Sequence, residues 1–176
     1  MQIHSCRVLC AVSLAVALAL SGPVQGKTAN EVGVGATLRE AGMHGLNGPD
    51  RLLSQYRGKP LLINVWASWC GPCRLEMGSL ERLAWQDQSR SFAVIGISTD
   101  DSEAAAKAYL RSANATLNHY IDRALEMENM LGANRLPLTV LVDAKGRVLG
   151  KYYGARDWDS PAAQKWIAGL IHPAQP

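Results

Sequence analysis

The run Leu61–Trp66 constrains the fold of this chain more than any other segment. Its sequence, Leu-Leu-Ile-Asn-Val-Trp, has five apolar residues out of six, so both faces of an extended segment would be apolar. A strand of this kind is typical of the centre of a sheet that is covered on both sides. Pro72 follows six residues later and is well tolerated in the first turn of a helix, which predicts a helix from there to about Gln86. The chain is therefore predicted to pass from a central strand almost directly into a helix.

Strand-like and helix-like segments alternate along the rest of the chain, which is the pattern of an α/β domain. The further predicted elements are strand 91–98, a helix that starts within residues 99–103 and runs to about Ser112, strand 118–121, helix 124–131, strands 138–142 and 147–153, and a last helix that starts at Ser160-Pro161 and includes Ile171. With 176 residues, the chain is long enough for one domain with a sizeable core and too short for two ordinary ones.

Two local features are predicted on either side of the central strand. The glycine-rich residues 27–60 predict an N-terminal hairpin around residues 38–46, with a short helical turn after Asp50. Asp100 stands three residues before Glu103, which is the spacing of a capping box. Asp100 is therefore expected to cap the helix that follows it.

The first 26 residues have the order of a secretory signal peptide. Arg7 precedes an apolar stretch over residues 8–20, and small residues follow up to Gly26. The stretch has 13 residues, which is well short of the ~20 that span a bilayer. We expect residues 1–26 to be a cleaved signal and residues 27–176 to be the exported domain. If the signal stays uncleaved, residues 8–20 would hold the protein at the membrane.

Net charge and cysteine count narrow the function further. The formal net charge of +3 is small and comes without a run of Lys or Arg, so nucleic acid is not an expected partner. A monomer is expected.

Two of the four cysteines lie in the predicted signal, which leaves Cys70 and Cys73 as a single close pair. In an oxidising compartment, one close pair in a domain of this size favours redox use over stapling.

The position of the pair gives each cysteine a separate role. Cys70 lies where the central strand gives way to the helix, and a helix N-terminus stabilises a thiolate. Cys73 lies one turn further along, where it can attack a mixed disulfide and release the target. Gly71 allows a tight turn and Pro72 holds the first helical turn.

Two other uses of the pair remain open from the residues alone. A structural disulfide would close a loop of only a few residues and so add little stability. A zinc site would need two more ligands, and the histidines of the exported domain, His44, His119 and His172, show no ligand spacing.

The segment Trp69-Cys70-Gly71-Pro72-Cys73, at the end of its apolar strand, resembles the thioredoxin superfamily. Within it, the chain resembles the TlpA/ResA-like exported thiol-disulfide oxidoreductases over roughly residues 38–171. The resemblance implies an α/β thioredoxin fold, with a central mixed sheet, helices on both faces and an N-terminal hairpin extension. It also implies no cofactor and no metal.

The resemblance further implies which residues serve the cysteines. The bond between Leu136 and Pro137 would be cis, with Pro137 facing the cysteines and Leu136 offering backbone groups to the substrate. Glu76 would move protons to and from the buried cysteine. In cytoplasmic-type thioredoxins a buried aspartate on the central strand does this, and the matching residue here, Asn64, cannot titrate. The alternative is that Glu76 only complements the helix dipole.

Two more positions bear on the site. Trp69, with Gly71 and Pro72, is expected to form part of the docking surface for a substrate. The family commonly has a helix-kinking proline five residues after the second cysteine, whereas this chain has Gly78, which permits a bend without imposing one.

The expected function is reduction of disulfides in exported proteins, because the Gly71-Pro72 dipeptide resembles that of reducing thioredoxins. The resemblance implies a periplasmic location and a membrane thiol donor of electrons. It also implies targets of the apocytochrome c or copper-site assembly type.

Two alternatives are a thiol peroxidase and a Cu(I) carrier. Peroxidases of related folds usually have a Thr-x-x-Cys site without a close partner cysteine. A Cu(I) carrier would use the two thiolates together with a late histidine. His119 is expected at a strand edge and His172 in the tail, so neither is well placed for this.

Overall fold

The computed structural model describes residues 30–86 and 92–173. The predicted signal peptide therefore lies outside the described residues. The strands are β1 (Gly42–Gly45), β2 (Arg51–Leu52), β3 (Leu61–Trp66), β4 (Ala93–Ser98), β5 (Asn118–Ile121), β6 (Leu138–Val142) and β7 (Val148–Tyr153). The helices are α1 (Gly71–Trp85), α2 (Glu103–Ser112), α3 (Glu126–Leu131) and α4 (Pro161–Ile171), with a 3₁₀ helix over Leu53–Tyr56.

Within the described residues, the strands form one mixed sheet in the order β2-β1-β5-β4-β3-β6-β7. β3 pairs parallel with β4 and antiparallel with β6, and all six of its residues are buried. The predicted central strand is thus confirmed, since its apolar character on both faces is matched by cover on both sides.

Alternate residues of β3 face different layers of the molecule. Ile63 packs in a cluster that includes Met127 of α3. On the opposite face, Leu62 packs in a cluster with Leu80 of α1 and Ile167 of α4. This period of two places helices on both faces of the sheet, as the α/β thioredoxin fold requires.

The N-terminal hairpin exists, but its predicted position at residues 38–46 was wrong. β1 pairs antiparallel with β2, with Gly42 opposite Leu52, and β1 also pairs with β5. Leu38 instead donates its backbone N–H to Gly146 O at 2.9 Å and is 3% exposed. Thr37 also pairs with Arg147, in the turn between β6 and β7. Residues 37 and 38 are therefore held by other contacts, and the hairpin begins later in the chain than predicted.

The predicted cap of the second helix was also wrong. Ser102 is the N-cap of α2, and its hydroxyl oxygen accepts the backbone N–H of Ala105 at 3.3 Å. Asp100 does not cap the helix, because its carboxylate is engaged by serines of the sheet and of the loop after β3.

The helix after the cysteines is continuous across Gly78 and runs for 15 residues. Within the part of the chain that the structure describes, no helix has the length and apolar character needed to cross a membrane.

Candidate active site

The two cysteines are joined in a disulfide at the junction of β3 and α1. The bond has an S–S distance of 2.04 Å and a Cα–Cα distance of 5.3 Å. Cys70 is the N-cap of α1, and its Sγ accepts the backbone N–H of Cys73 at 3.2 Å. Cys70 is 5% exposed and Cys73 is fully buried. A thiolate at Cys70 would therefore receive a backbone hydrogen bond and the favourable end of the helix dipole.

A cleft of about 570 Å³ opens beside Cys70. The four residues expected to dock substrate, Trp69, Gly71, Pro72 and Leu136, all line it together with Cys70. Trp69 is 71% exposed although it is a large apolar residue. The cleft thus gives a partner access to one sulfur of the pair, whereas Cys73 does not line it.

The Leu136-Pro137 peptide bond is cis, as the resemblance implies. Pro137 is buried, and its carbonyl accepts the backbone N–H of Gly154 at 2.9 Å. Leu136 is the residue of this pair that lines the cleft.

Glu76 lies one helical turn after Cys73 and is only 2% exposed. Its Oε1 accepts a hydrogen bond from Asn64 Nδ2 at 2.7 Å. Its Oε2 accepts the backbone N–H of Arg156 at 3.0 Å and the indole N–H of Trp158 at 2.8 Å. The carboxyl group is therefore enclosed between β3, α1 and the segment that precedes α4.

Burial raises the pKa of Glu76 to about 7, against the hydrogen bonds from Trp158, Asn64 and Arg156, which favour the carboxylate. The group can therefore bind or release a proton near neutral pH. A glutamate that only complemented the helix dipole would be expected on the surface, so burial favours the proton-transfer interpretation.

Sequence reasoning missed the residues that surround Glu76. Trp158 is fully buried, as a core residue would be. It also donates to Glu76 across 82 residues of sequence. Asn64 Nδ2 is additionally placed 3.0 Å from Thr139 Oγ1 on β6. The available signal was that a buried indole N–H needs an acceptor, but sequence does not say which one.

The carboxylate of Asp100 holds the loop that leads to Cys70. It accepts the backbone N–H of Ser68 at 2.9 Å and the Ser68 hydroxyl at 2.7 Å. The Ser98 hydroxyl at the end of β4 donates to the same carboxylate at 2.7 Å. Asp100 is 3% exposed, so these hydrogen bonds join the ends of two neighbouring strands inside the protein.

Among the residues that the structure describes, no group of three or more His, Cys, Asp or Glu side chains could hold a metal ion. His119 was expected at a strand edge, and it is the second residue of its four-residue strand. It lies on β5, between β1 and β4, and is 1% exposed. Its Nε2 is 3.7 Å from Glu81 Oε1.

The fold and the site together define a protein of the thioredoxin fold that carries a dithiol–disulfide pair at a helix N-terminus. The chain belongs to the Redoxin family, which matches residues 34–167. It is 38% identical over 136 residues to the thiol:disulfide interchange protein DsbE of Pseudomonas fluorescens biotype C, covering 72% of each protein. It is 30% identical over 117 residues to the thiol-disulfide oxidoreductase ResA of Geobacillus thermodenitrificans (strain NG80-2), covering 66% of this chain and 67% of that protein.

Solved structures agree on the fold. A thiol:disulfide interchange protein of the thioredoxin family from Chlorobium tepidum TLS superposes with a TM-score of 0.66 at 21% identity, covering 80% of this chain and 98% of the other. The pneumococcal exposed lipoprotein thioredoxin Etrx1 of Streptococcus pneumoniae strain TIGR4 gives 0.64 at 20% identity, covering 72% and 97%. The relatives DsbE and ResA named above identify the chain as a thiol-disulfide oxidoreductase.

Proposed function

We propose that the protein is an exported reductase of disulfides in other exported proteins. The observation that carries the proposal is the asymmetry of the pair: Cys70 lines the open cleft, whereas Cys73 is fully buried behind it. A target can reach one sulfur only, and the other is kept for the second step.

In the first step the Cys70 thiolate attacks one sulfur of the target disulfide. The target S–S bond breaks, a Cys70–target mixed disulfide forms, and the released target thiolate takes up a proton. The backbone N–H of Cys73 and the helix N-terminus favour the attacking anion. In this mechanism the target docks in the cleft against Trp69, Gly71, Pro72 and Leu136, and Pro137 faces the cysteines.

In the second step Cys73 resolves the mixed disulfide. Its thiol loses a proton to the carboxylate of Glu76, and the thiolate attacks Cys70 Sγ. The second target sulfur leaves as a thiolate and is protonated, so two electrons and two protons have passed to the target. Glu76 is suited to this exchange because its pKa is raised to about 7 by burial.

The direction of electron flow follows from the stability of the disulfide against that of the dithiol. The reduction potentials of thioredoxin and of the strong oxidant DsbA differ by ~150 mV, which is about 7 kcal/mol for two electrons. The Gly71-Pro72 dipeptide resembles that of reducing thioredoxins. An ionised Glu76, one turn from Cys73, disfavours a second thiolate there and so favours the disulfide form, which makes the couple more reducing.

The proposed location is the periplasm, with residues 1–26 as a cleaved signal and residues 27–176 as a monomeric domain. A retained signal would anchor the protein through residues 8–20. The name of the pneumococcal exposed lipoprotein thioredoxin supports a place outside the cytoplasm. In an oxidising compartment the cysteines must be re-reduced, and a membrane thiol donor is the proposed source. The proposed targets are exported proteins that need free cysteines, of the apocytochrome c or copper-site assembly type.

The proposal is tested by trapping partners in vivo. A Cys73→Ser variant should accumulate mixed disulfides through Cys70, because the resolving step is blocked, and mass spectrometry should identify exported proteins with paired cysteines. The matched Cys70→Ser variant should trap none of them. Adducts formed equally by both variants, or turnover of hydrogen peroxide in place of protein disulfides, would contradict the proposal.

A further inference from the structure

Two large exposed apolar side chains lie at the active-site cleft. Six large apolar side chains are exposed within the described residues: Val34, Leu52, Trp69, Leu75, Trp85 and Leu125. Trp69 and Leu125 come from segments far apart in sequence, yet both line the cleft beside Cys70. Apolar surface gathered at a cleft is typical of a binding site rather than of scattered surface residues.

Leu125 has an unusual backbone for its residue type. Its φ of 55° and ψ of 26° lie in the left-handed region, which disfavours branched side chains. Its backbone N–H donates to Asp122 O at 3.0 Å. The Asp122 carboxylate accepts the backbone N–H groups of Glu126 at 2.9 Å and of Glu128 at 2.7 Å. Asp122 therefore holds the turn that presents Leu125.

Leu125 is still 37% exposed within this chain, although it is a large apolar residue. Glycine would adopt the same backbone without strain, and asparagine would adopt it more readily than leucine. Strained residues that persist at a cleft often serve contact with a ligand.

The same cleft has an acidic wall. Asp101 and Glu128 line it, and Glu128 is half-buried. Burial, with the charge of Asp122, raises the pKa of Glu128, while the Thr99 side chain hydrogen-bonds to it. Within the described residues no salt bridge joins Asp101 or Glu128 to a cation. Arg135 also lines the cleft, and its guanidinium lies over the Tyr153 ring, 5.1 Å from the centroid.

We propose that this part of the cleft is a specificity subsite for the segment that flanks the target cysteine. An apolar side chain of the target packs against Leu125 and Trp69, and a Lys or Arg side chain meets Glu128. The inference rests on the proposed function, because the bound segment is the one whose sulfur reaches Cys70. A volume of about 570 Å³ suits a few side chains of an extended segment rather than a folded domain.

The test is single-turnover oxidation of the reduced protein by two peptides of equal length, each with one internal disulfide. One peptide carries Leu and Lys beside the reacting cysteine and the other carries Ser and Glu. Bis(2-hydroxyethyl) disulfide, which has no flanking residues, is the reference oxidant. The wild-type protein should react about tenfold faster with the Leu/Lys peptide than with the Ser/Glu peptide.

Two variants separate the two halves of the subsite. Leu125→Asn should lower the ratio of Leu/Lys-peptide rate to reference rate by about fivefold, and its unfolding midpoint in urea should stay equal or rise. Glu128→Gln should lower that ratio by about threefold, with the loss shrinking at high salt. Leu52→Asn removes an equally apolar exposed side chain at the sheet edge and should leave the ratio unchanged.

Equal wild-type rates with both peptides, or a ratio unchanged by Leu125→Asn, would overturn the inference while leaving the proposed function intact. A lower unfolding midpoint in Leu125→Asn would assign Leu125 a structural role and overturn it too. Concentration-dependent dimerisation of the wild type that Leu125→Asn abolishes would assign the surface to a second copy instead. Failure of the wild type to reduce any of the three disulfides would overturn both proposals.

Discussion

At the scale of single residues, Glu76 is the group on which the proposed proton transfer depends most. Its carboxyl group is almost fully buried, yet it receives three hydrogen bonds that favour the anion. Burial outweighs them, and the pKa rises from an ordinary 4.5 to about 7. Asn64 Oδ1 is buried without a hydrogen-bond partner among the described residues. If the amide turned over, this oxygen would face Glu76 and accept a hydrogen bond from the O–H of the neutral acid. Asn64 can thus serve both protonation states.

The raised pKa predicts how stability depends on pH. Below about pH 4.5 Glu76 is neutral in both the folded and unfolded chain, so its ionisation costs nothing. As pH rises towards 7 the unfolded chain ionises first, and the folded state loses roughly 3 kcal/mol of relative stability by pH 8. Glu76→Gln should remove this loss. Urea unfolding of the oxidised protein from pH 4 to 8 measures it, and an unchanged pH slope in the variant would contradict the account.

The indole N–H of Trp158 is predicted to lower the pKa of Glu76. Trp158→Phe keeps an aromatic ring in the core but removes the N–H that donates to Glu76. Because that hydrogen bond favours the carboxylate, its loss should raise the pKa of Glu76 further above 7. Carboxyl ¹³C NMR titration of both proteins checks this. Trp166→Phe, which alters a ring of the same aromatic group without touching Glu76, is the control. A fall in the pKa in Trp158→Phe would contradict the assigned role.

At the scale of secondary-structure elements, the site depends on how β3 ends and α1 begins. Sequence predicted both elements, because the apolar run and the proline at the start of the helix are local signals. It did not predict that Asp100 would turn back to hold the loop between them. A capping-box spacing is also local, but the Ser68 groups that compete for the carboxylate come from 32 residues away. Contacts of this kind are set by strand pairing rather than by spacing.

The hydrogen bonds of the Asp100 carboxylate are predicted to hold the loop that leads to Cys70 in place. Asp100→Asn leaves only one acceptor oxygen for the Ser68 and Ser98 donors, so we expect a stability loss of about 1–3 kcal/mol. Exchange of the Ser68 backbone amide should accelerate, and the rate of Cys70 alkylation in the reduced protein should change with it. The exposed neighbour Asp101 offers the control Asp101→Asn, with slow exchange at Ser68 retained. Slow exchange in Asp100→Asn as well would contradict the assignment.

At the scale of the whole molecule, sequence predicted the α/β class and the order of elements in the core. The resemblance supplied the family and the cis bond at Pro137, which spacing alone does not reveal. The N-terminal hairpin was misplaced because the glycine-rich segment has little periodicity, and its register is set by pairing with β5. The enclosure of Glu76 by Trp158 was missed because it joins α1 to the segment before α4. Long-range contacts between buried polar groups are what sequence patterns describe least.

The most direct test of the account is the reduction potential of the Cys70–Cys73 pair, equilibrated in dithiothreitol and glutathione buffers and read by mass after alkylation. A reductase with a stable buried disulfide should lie near the thioredoxin value of about −270 mV. A potential near the strong-oxidant value of about −120 mV would mean that the dithiol is the favoured state, and it would contradict the proposal that this protein is a reductase.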